Sequence, residues 1–442
     1  LRCGLRLGRA DLVDPLELHM SLIRLSGGLR VRMTASFALL AAVGSIARAQ
    51  VFIPLGTLPG GSGSYAFGIS SDGAVVVGAG GNAAGFEHAF RWSAGHGLQD
   101  LGVFAGGTRS EAEAASADGS VIVGFADTRD RSFHAFRWRQ SDGMVDLGTL
   151  PGDLQSQALA VSGDGSIIAG ISGTTGSWRA FRWTSSGGMQ ALGELGSDVV
   201  SYANGVSEDG SVIVGTSGDG QAINDRAVAW TVAGGLQSLG LVPGGTFSRA
   251  QAVSSDGVAV VGIGDTPDGV QAVRWMAAEG MRSLGAFPEM FDAQGFCANR
   301  TGSALAGACL TEFGDRAFLW RSGAGLLDVG DFLTSRGVDL SAWSLDRVRG
   351  ISAAGRVVIG SGTHNFSAEA WVANLPPFCG SADFNCDGDA GTDADIEAFF
   401  ACLAGACPAP ACSNTADFDS DGSVGTDADI EAFFRVLAGG QC

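Results

Sequence analysis

Basic residues are scarce in this 442-residue sequence: 27 Lys and Arg stand against 46 Asp and Glu, a formal charge of −19. A nucleic-acid-binding chain normally carries a basic face, so that class is excluded first. Proline is scarce as well, at 11 residues, whereas glycine reaches 70, more than twice the usual share of about 7%. No Gly-X-Y period accompanies the glycine, which excludes a collagen-like chain, and a hydrophobic content of 45% excludes wholesale disorder. After residue 50 no apolar run is long enough to span a membrane. Catalytic signatures are missing too: there is no H-E-x-x-H, no G-x-S-x-G and no phosphate-cradling glycine loop. What remains is a glycine-rich chain with Val, Ile, Phe and Trp, the composition of many short strands joined by tight turns. Its acidity suits a secreted protein that holds cations.

The first 49 residues read as upstream residues and a secretory signal peptide. A start at Met20 gives a basic stretch (Arg24, Arg30, Arg32), an apolar run from Ala35 to Ile46, and Ala47-Arg48-Ala49 as a small-x-small cleavage site. Cleavage there leaves eight of the nine cysteines, an even number that fits an oxidising compartment.

From residue 50 to 375 a unit repeats seven times. Leu-Gly or Val-Gly marks it at Leu55, Leu101, Leu147, Leu192, Leu239, Leu284 and Val329, with steps of 45 to 47 residues. Each unit runs through a Pro-Gly-Gly-like loop, a strand and an Asp-Gly turn such as Asp72-Gly73. A valine-rich strand such as Val75-Val76-Val77, a variable polar loop, a strand ending in Trp and a short last strand complete it. Asp-Gly between apolar runs predicts a hairpin with a type I′ turn. Four short strands per unit predict a propeller blade. In the third strand His88, Phe90 and Trp92 point one way and Ala89 the other, so a bulky face meets an alanine face between blades. The seventh unit stops at Trp371 without a fourth strand, and Val51 to Leu55 supply it from the other end of the mature chain. The expectation is an all-β, seven-bladed β-propeller closed by the amino-terminal strand. A β-solenoid or a twisted sandwich is the competing arrangement.

The strings His88-Ala89-Phe90-Arg91-Trp92 and His134-Ala135-Phe136-Arg137-Trp138, with their Leu-Gly-x-Leu-Pro-Gly-Gly loops, resemble the HAF-repeat family of bacterial extracellular proteins. Later units such as Arg226-Ala227-Val228-Ala229-Trp230 lack the histidine. The resemblance implies secretion and a repeat fold, with no established activity.

A linker at 376–380 leads into a second domain, 381–442, where two segments repeat at a spacing of 34. Asp383, Asn385, Asp387 and Asp389 open the first, and Asp417, Asp419, Asp421 and Ser423 the second. Gly388 and Gly422 sit at position six. Oxygen-bearing side chains at alternate positions before a glycine converge on one cation, and Ca²⁺ accepts their flexible geometry best. Position twelve holds Ala394 and Ala428, so the closing carboxylate is either Asp395 and Asp429, in a loop one residue longer, or Asp393 and Asp427. Ile396, Phe399, Phe400 and Leu403, and likewise Ile430, Phe433, Phe434 and Leu437, have helical spacing and predict two helices whose faces bury each other. This domain closely resembles a GC-type dockerin, which implies two Ca²⁺ sites and a cohesin-type or cell-surface receptor. Six cysteines fall here, allowing fifteen pairings. Cys297 and Cys309, on one hairpin of the sixth unit, are expected to pair with each other.

Within the propeller no catalytic residue stands out. His88 and His134 share one repeat position and read as structural. The Ser-x-Asp-Gly turns are similar to the Asp-box of sialidase propellers but lack its following Trp. The least repetitive polar residues lie in the loops between second and third strands: Asp127, Arg129, Asp130, Arg131, Asn224, Asp225, Asp265, Asp268, His364 and Asn365. Either they mark a ligand face or they are ordinary solvated loops. The leading expectation is a secreted, non-enzymatic binding protein whose propeller recognises a protein or a glycan, with no nucleic-acid partner and no membrane span after cleavage. The rivals are an extracellular propeller hydrolase or lyase acting on polysaccharide, and a structural surface protein without a ligand. A cluster of carboxylates in a central cleft would favour the enzyme.

Overall fold

A computed structural model describes residues 51–174, 176–221, 224–287, 292–311, 314–322, 324–375, 384, 392–404, 418, 423 and 425–437. The expected leader and linker lie outside these residues. Between 51 and 375 the chain forms seven four-stranded antiparallel sheets, six of them in sequence order. In the seventh, Phe52–Pro54 pairs with Ser367–Asn374, placing Phe52 opposite Ala373 and Pro54 opposite Trp371. Leu55 N–H then donates to Ala370 O at 2.9 Å. The ring is therefore closed by hydrogen bonds between the two ends of the propeller, as the missing fourth strand predicts, and no solenoid is formed.

Burial explains the strands. Every residue of the second strand of blade 2, Val121–Asp127, is buried, because neighbouring blades cover both its faces. The third strands divide as their alternation requires. Phe90 and Trp92 of blade 1 pack with Ile359, Ala370 and Val372 of blade 7, while Ala89 faces Ile122, Ala126 and Phe136 of blade 2. Each wall thus sets a bulky side chain of one blade (Phe90, Phe136, Phe181, Val228, Val273, Phe318 or Trp371) against an alanine of its neighbour, which lets twisted sheets approach closely.

A serine latches each early wall. Ser110 Oγ, wholly buried, donates to Gly102 O at 2.6 Å and accepts from Ala89 N of the preceding blade at 2.8 Å. Ser156, Ser248 and Ser64 repeat the arrangement, and Ser64 accepts from Ala370 N across the closure seam at 3.0 Å. These hydroxyls satisfy buried backbone groups that the sheets cannot pair.

The Asp-Gly hairpins differ from the expected turn. Gly119 has φ 66°, but Asp118 is not among the residues with positive φ, so the turn is not type I′. Side chains do the work instead: Ser116 Oγ donates to Asp118 at 2.9 Å and accepts from Val121 N at 2.9 Å, and Ser120 N donates to Asp118 at 2.9 Å. Two successive non-glycine residues with positive φ occur at Asn365 and Phe366, the two-residue turn between His364 and Ser367. A short helix absent from the repeat reading, α1 (Val329–Ser335), precedes blade 7 and is capped by Asp328, which accepts from Asp331 N at 2.8 Å.

Cys297 and Cys309 are free thiols, which corrects the expected disulfide. In the ladder Cys297 faces Ala306 while Cys309 faces Ala293. Four residues along a strand is about 13 Å, beyond disulfide reach. Their side chains also enter different clusters, toward blade 7 and toward blade 5.

In the second domain α2 (Asp393–Leu403) and α3 (Asp427–Leu437) form the expected helical pair. Phe399 and Phe433 stack at 4.0 Å between ring centroids, with Phe384 and Phe418 buried around them. Phe400 and Phe434 remain partly exposed, which narrows the predicted apolar faces. Cys402 is buried and disulfide-bonded.

Candidate functional site

The first strand of every blade carries a β-bulge at one repeated position. The register shifts between Ala66 and Gly68, Ala112 and Ala114, Ala158 and Ala160, Ala203 and Gly205, Ala250 and Ala252, Gly295 and Cys297, and Val348 and Gly350. The extra residues are Phe67, Glu113, Leu159, Asn204, Gln251, Phe296 and Arg349, and all seven line one central cavity of about 550 Å³. A bulge turns one side chain out of the ladder, and here that side chain points into the channel. Close approach makes this possible: a Cβ on Gly124 would stand 1.9 Å from Glu111 O, so the strand beside the bulge needs glycine there.

The ring has an asymmetric chemistry. Going round from blade 6, it places Phe296, Arg349, Phe67 and Glu113 in succession, with Leu159, Asn204 and Gln251 completing it. The Arg349 guanidinium lies 4.6 Å over the Phe296 ring. Its Nε is buried without a hydrogen-bond partner. Burial first, then the charge of Arg347, lowers its pKa, with Glu113 opposing; an arginine nevertheless stays charged. Glu113 is half-buried and lines the cavity. Burial, then Glu111 two residues back, raises its pKa to about 7, and Arg349 pulls the other way. Burial raises the pKa of Glu111 as well, opposed by Arg109, which binds it at 2.7 Å and also reaches Glu87 at 2.7 Å. Cys297 also lines the cavity, but burial pushes its thiol up to about 12, so it offers no thiolate at neutral pH.

The loops singled out in the sequence are largely structural. Asp127 Oδ1 accepts from Thr108 N at 2.6 Å and Arg109 N at 2.7 Å. Burial works against its charge, but these bonds prevail and its pKa is lowered. Asp265 does the same for Thr246 and Phe247 at 2.7 and 2.8 Å. Asp225 pairs with Arg249 at 2.7 Å, and Asn224 donates to Asp219 at 2.9 Å. His364 stacks on Trp343 at 4.3 Å and meets Glu369 at 2.6 Å. The contacts of Asp127, Asp225 and Asp265 clip a second-to-third-strand connection to the start of a first strand, so at these blades both sets of loops share one end of the ring, as expected. The repeated histidines are structural as read: His88 and His134 each hold the carboxylate ending the fourth strand, Asp100 and Asp146, at 2.9 Å.

Of the predicted metal ligands, Asp383, Asn385, Asp387, Asp389, Asp417, Asp419 and Asp421 lie outside the described residues. Asp395 and Asp429 are wholly buried at the starts of α2 and α3, while Asp393, Asp427 and Ser423 are exposed. Asp395 Oδ1 accepts from Phe384 N at 2.7 Å, and its Oδ2 from Thr392 N at 2.8 Å. Asp429 Oδ2 accepts from Thr426 N at 2.7 Å, so the two halves are related.

Sequence reasoning missed the ring. The available signal was a small-x-small triplet at a fixed place in the first six units, such as Ala112-Glu113-Ala114 or Ala158-Leu159-Ala160, whose middle residue changes along the chain.

No family model matches the chain, and no curated protein does. Solved structures do. An oligogalacturonate lyase in complex with manganese is 13% identical, with a TM-score of 0.51 over 74% of this chain and 93% of the other. An oligogalacturonate lyase from Vibrio parahaemolyticus is 12% identical, with a TM-score of 0.51 over 75% and 95%. A prolyl endopeptidase is 10% identical, with a TM-score of 0.50 over 75% of this chain and 53% of its own. The chain is a seven-bladed β-propeller. At such identities the likeness extends to the fold alone.

Proposed function

We propose that this chain is a secreted, HAF-repeat-type binding protein whose propeller recognises a protein or glycan ligand at the mouth of its central channel. The observation that carries the reading is the contrast between repeating walls and a channel position that does not repeat, holding in turn Phe67, Glu113, Leu159, Asn204, Gln251, Phe296 and Arg349. A purely structural disc has no reason to vary one position in this way. A dockerin-like tail would attach the protein to a cohesin-type or cell-surface receptor. In that tail Asp383, Asn385, Asp387 and Asp389, and Asp417, Asp419, Asp421 and Ser423, would hold two Ca²⁺ ions. Asp395 and Asp429 would close the loops, a choice supported by their burial at the helix starts and by the hydrogen bond that ties Asp395 to Phe384, beside Asp383. Calcium would contribute charge compensation and stability there, with no catalytic step.

The test is a glycan array together with a cell-wall pull-down, using the chain with and without residues 376–442. Binding that survives loss of the tail and fails in a Phe67 or Arg349 variant supports the reading; binding indifferent to the channel sinks it. The rival, a polysaccharide hydrolase or lyase, draws on one specific feature. Glu111 and Glu113 sit two residues apart on one strand, roughly 6.6 Å, and Glu113 exchanges its proton near neutral pH. Release of new reducing ends from a polysaccharide panel, abolished by Glu113→Gln, would favour the enzyme.

A further inference from the structure

The channel holds a cation that the fold does not neutralise. No described residue forms a hydrogen bond or ion pair with the Arg349 side chain, whose recorded contact is the face of Phe296. The other arginine nearby is compensated, since Arg347 pairs with Asp315. Glu113 makes no hydrogen bond or ion pair with a described residue either; it influences Arg349 only through space. The Gln251 amide is likewise uncommitted among the described residues, and the cavity-lining Asn204 donates its N–H₂ to Ala250 O at 2.8 Å, its carbonyl oxygen having no partner among the described residues. A guanidinium enclosed beside an aromatic ring and short of partners is costly unless an anion completes it, and its planar fork matches a carboxylate. The neighbouring Phe67 and Phe296 offer apolar faces, and a cavity of about 550 Å³ is the size of a small-molecule site.

We propose that the channel binds a small organic carboxylate, its anionic head on Arg349, its body against Phe67 and Phe296, and its other polar atoms on Gln251 and Asn204. The proposal rests on the channel being the recognition site and adds the charge and class of what enters. It also runs against the sign of the whole molecule, because a chain of net charge −19 has no general attraction for anions. Selection is then local.

Glu113 makes the affinity depend on pH. When protonated it can donate a hydrogen bond to the ligand; when ionised it repels a carboxylate. The groups acting on it are Glu111 on its own strand and Arg349 two blades away round the ring. The strands packed against that strand bring Glu87, His88, Arg91 and Asp127, which face Arg109, Asp100, Gln99 and Thr108 respectively. The adjoining first strands, Ser64–Ile69 and Gln155–Val161, carry no charged residue, and Tyr65 is their one titratable group. Affinity should therefore tighten as pH falls from 8 to 6, by up to ~10-fold for a group titrating at about 7.

The experiment measures binding of benzoate against benzamide, and of N-acetyl-glycyl-phenylalanine against its carboxamide, to the full chain by saturation-transfer NMR and calorimetry. The first pair probes a free small acid and the second a peptide carboxyl terminus. The expected result is binding of at least one acid and not its amide, weakened ~10-fold or more by Arg349→Gln. With Glu113→Gln, binding should persist and lose its pH dependence. Equal binding of acid and amide, unaltered binding to Arg349→Gln, or no acid binding up to ~10 mM overturns the carboxylate. If the carboxylate fails while a neutral glycan binds and is lost with Phe67→Ala, the recognition reading survives alone. If channel variants change no binding at all, both fall.

Discussion

The walls between blades and the channel at the centre follow opposite rules, although both are built from the same seven units. Wall positions repeat because two sheets can approach only when a small face meets a large one, as Ala89 does Phe136. The channel position does not repeat, because a bulge releases its side chain from the ladder and the cavity imposes no shared volume. The comparison teaches where a repeat protein keeps its freedom. It lies at the one residue per unit that the hydrogen-bond pattern leaves over.

The largest test of that comparison is a wall truncation. Phe136→Ala should lower propeller stability by about 3–5 kcal/mol in a denaturant titration, and an equally large loss from Phe67→Ala would erase the distinction between wall and channel. A second test sets the ring against the helical pair, whose core is a handful of phenylalanines. If the acidic loops bind Ca²⁺, a chelator should remove about 2.7 kcal/mol per site at a hundredfold excess of ion over Kd. Calorimetry should show that loss in the tail transition while the propeller transition stays in place.

The third test reverses sign. Glu113 has a folded pKa of about 7, above the ordinary 4.5. The folded state therefore holds this proton more tightly than the unfolded chain does. The stability so gained is fully present below pH 4.5 and is lost as pH rises through 7. Glu113→Gln should thus stabilise the propeller at pH 8 by roughly 2 kcal/mol, less than the full shift implies because the residue is only half-buried. It should bring little gain at pH 4. A destabilised variant at pH 8 would show that the channel is a packed core.

Smaller still, Ser110→Ala should cost about 1–2 kcal/mol by leaving Ala89 N and Gly102 O unpaired. Smallest is a chemical readout: Cys297 and Cys309, buried with thiols pushed up to about 12, should resist alkylation in the native chain at neutral pH and react on unfolding. Protection lost without unfolding would show that blade 6 opens locally.

Much of the ring was legible in advance. The 45-to-47-residue period, the Ala/Phe/Trp alternation and the missing fourth strand at Trp371 each follow from local periodicity plus the need to cover a sheet edge. Other features were not. The Asp-Gly turns were misjudged because Ser116 and Asp118 bond each other and the backbone, a route that composition does not separate from a type I′ turn. Cys297 and Cys309 looked paired because one hairpin joins them, whereas strand pleating and register send them to different blade faces. The polar loop residues looked like ligand groups until Asp127, Asp225 and Asp265 were seen holding the neighbouring loop.

By itself the sequence determined the number of blades, the faces that meet between them and the strand that shuts the ring. Each depends on residues close together in the chain or on a period that counts them. Only the tertiary structure decided which side chains share the channel. Glu113 and Arg349 are separated by most of the propeller in sequence and meet because circular closure makes the second and seventh blades near neighbours. The proton affinity of one and the unneutralised charge of the other arise from that enclosure, which no local pattern encodes.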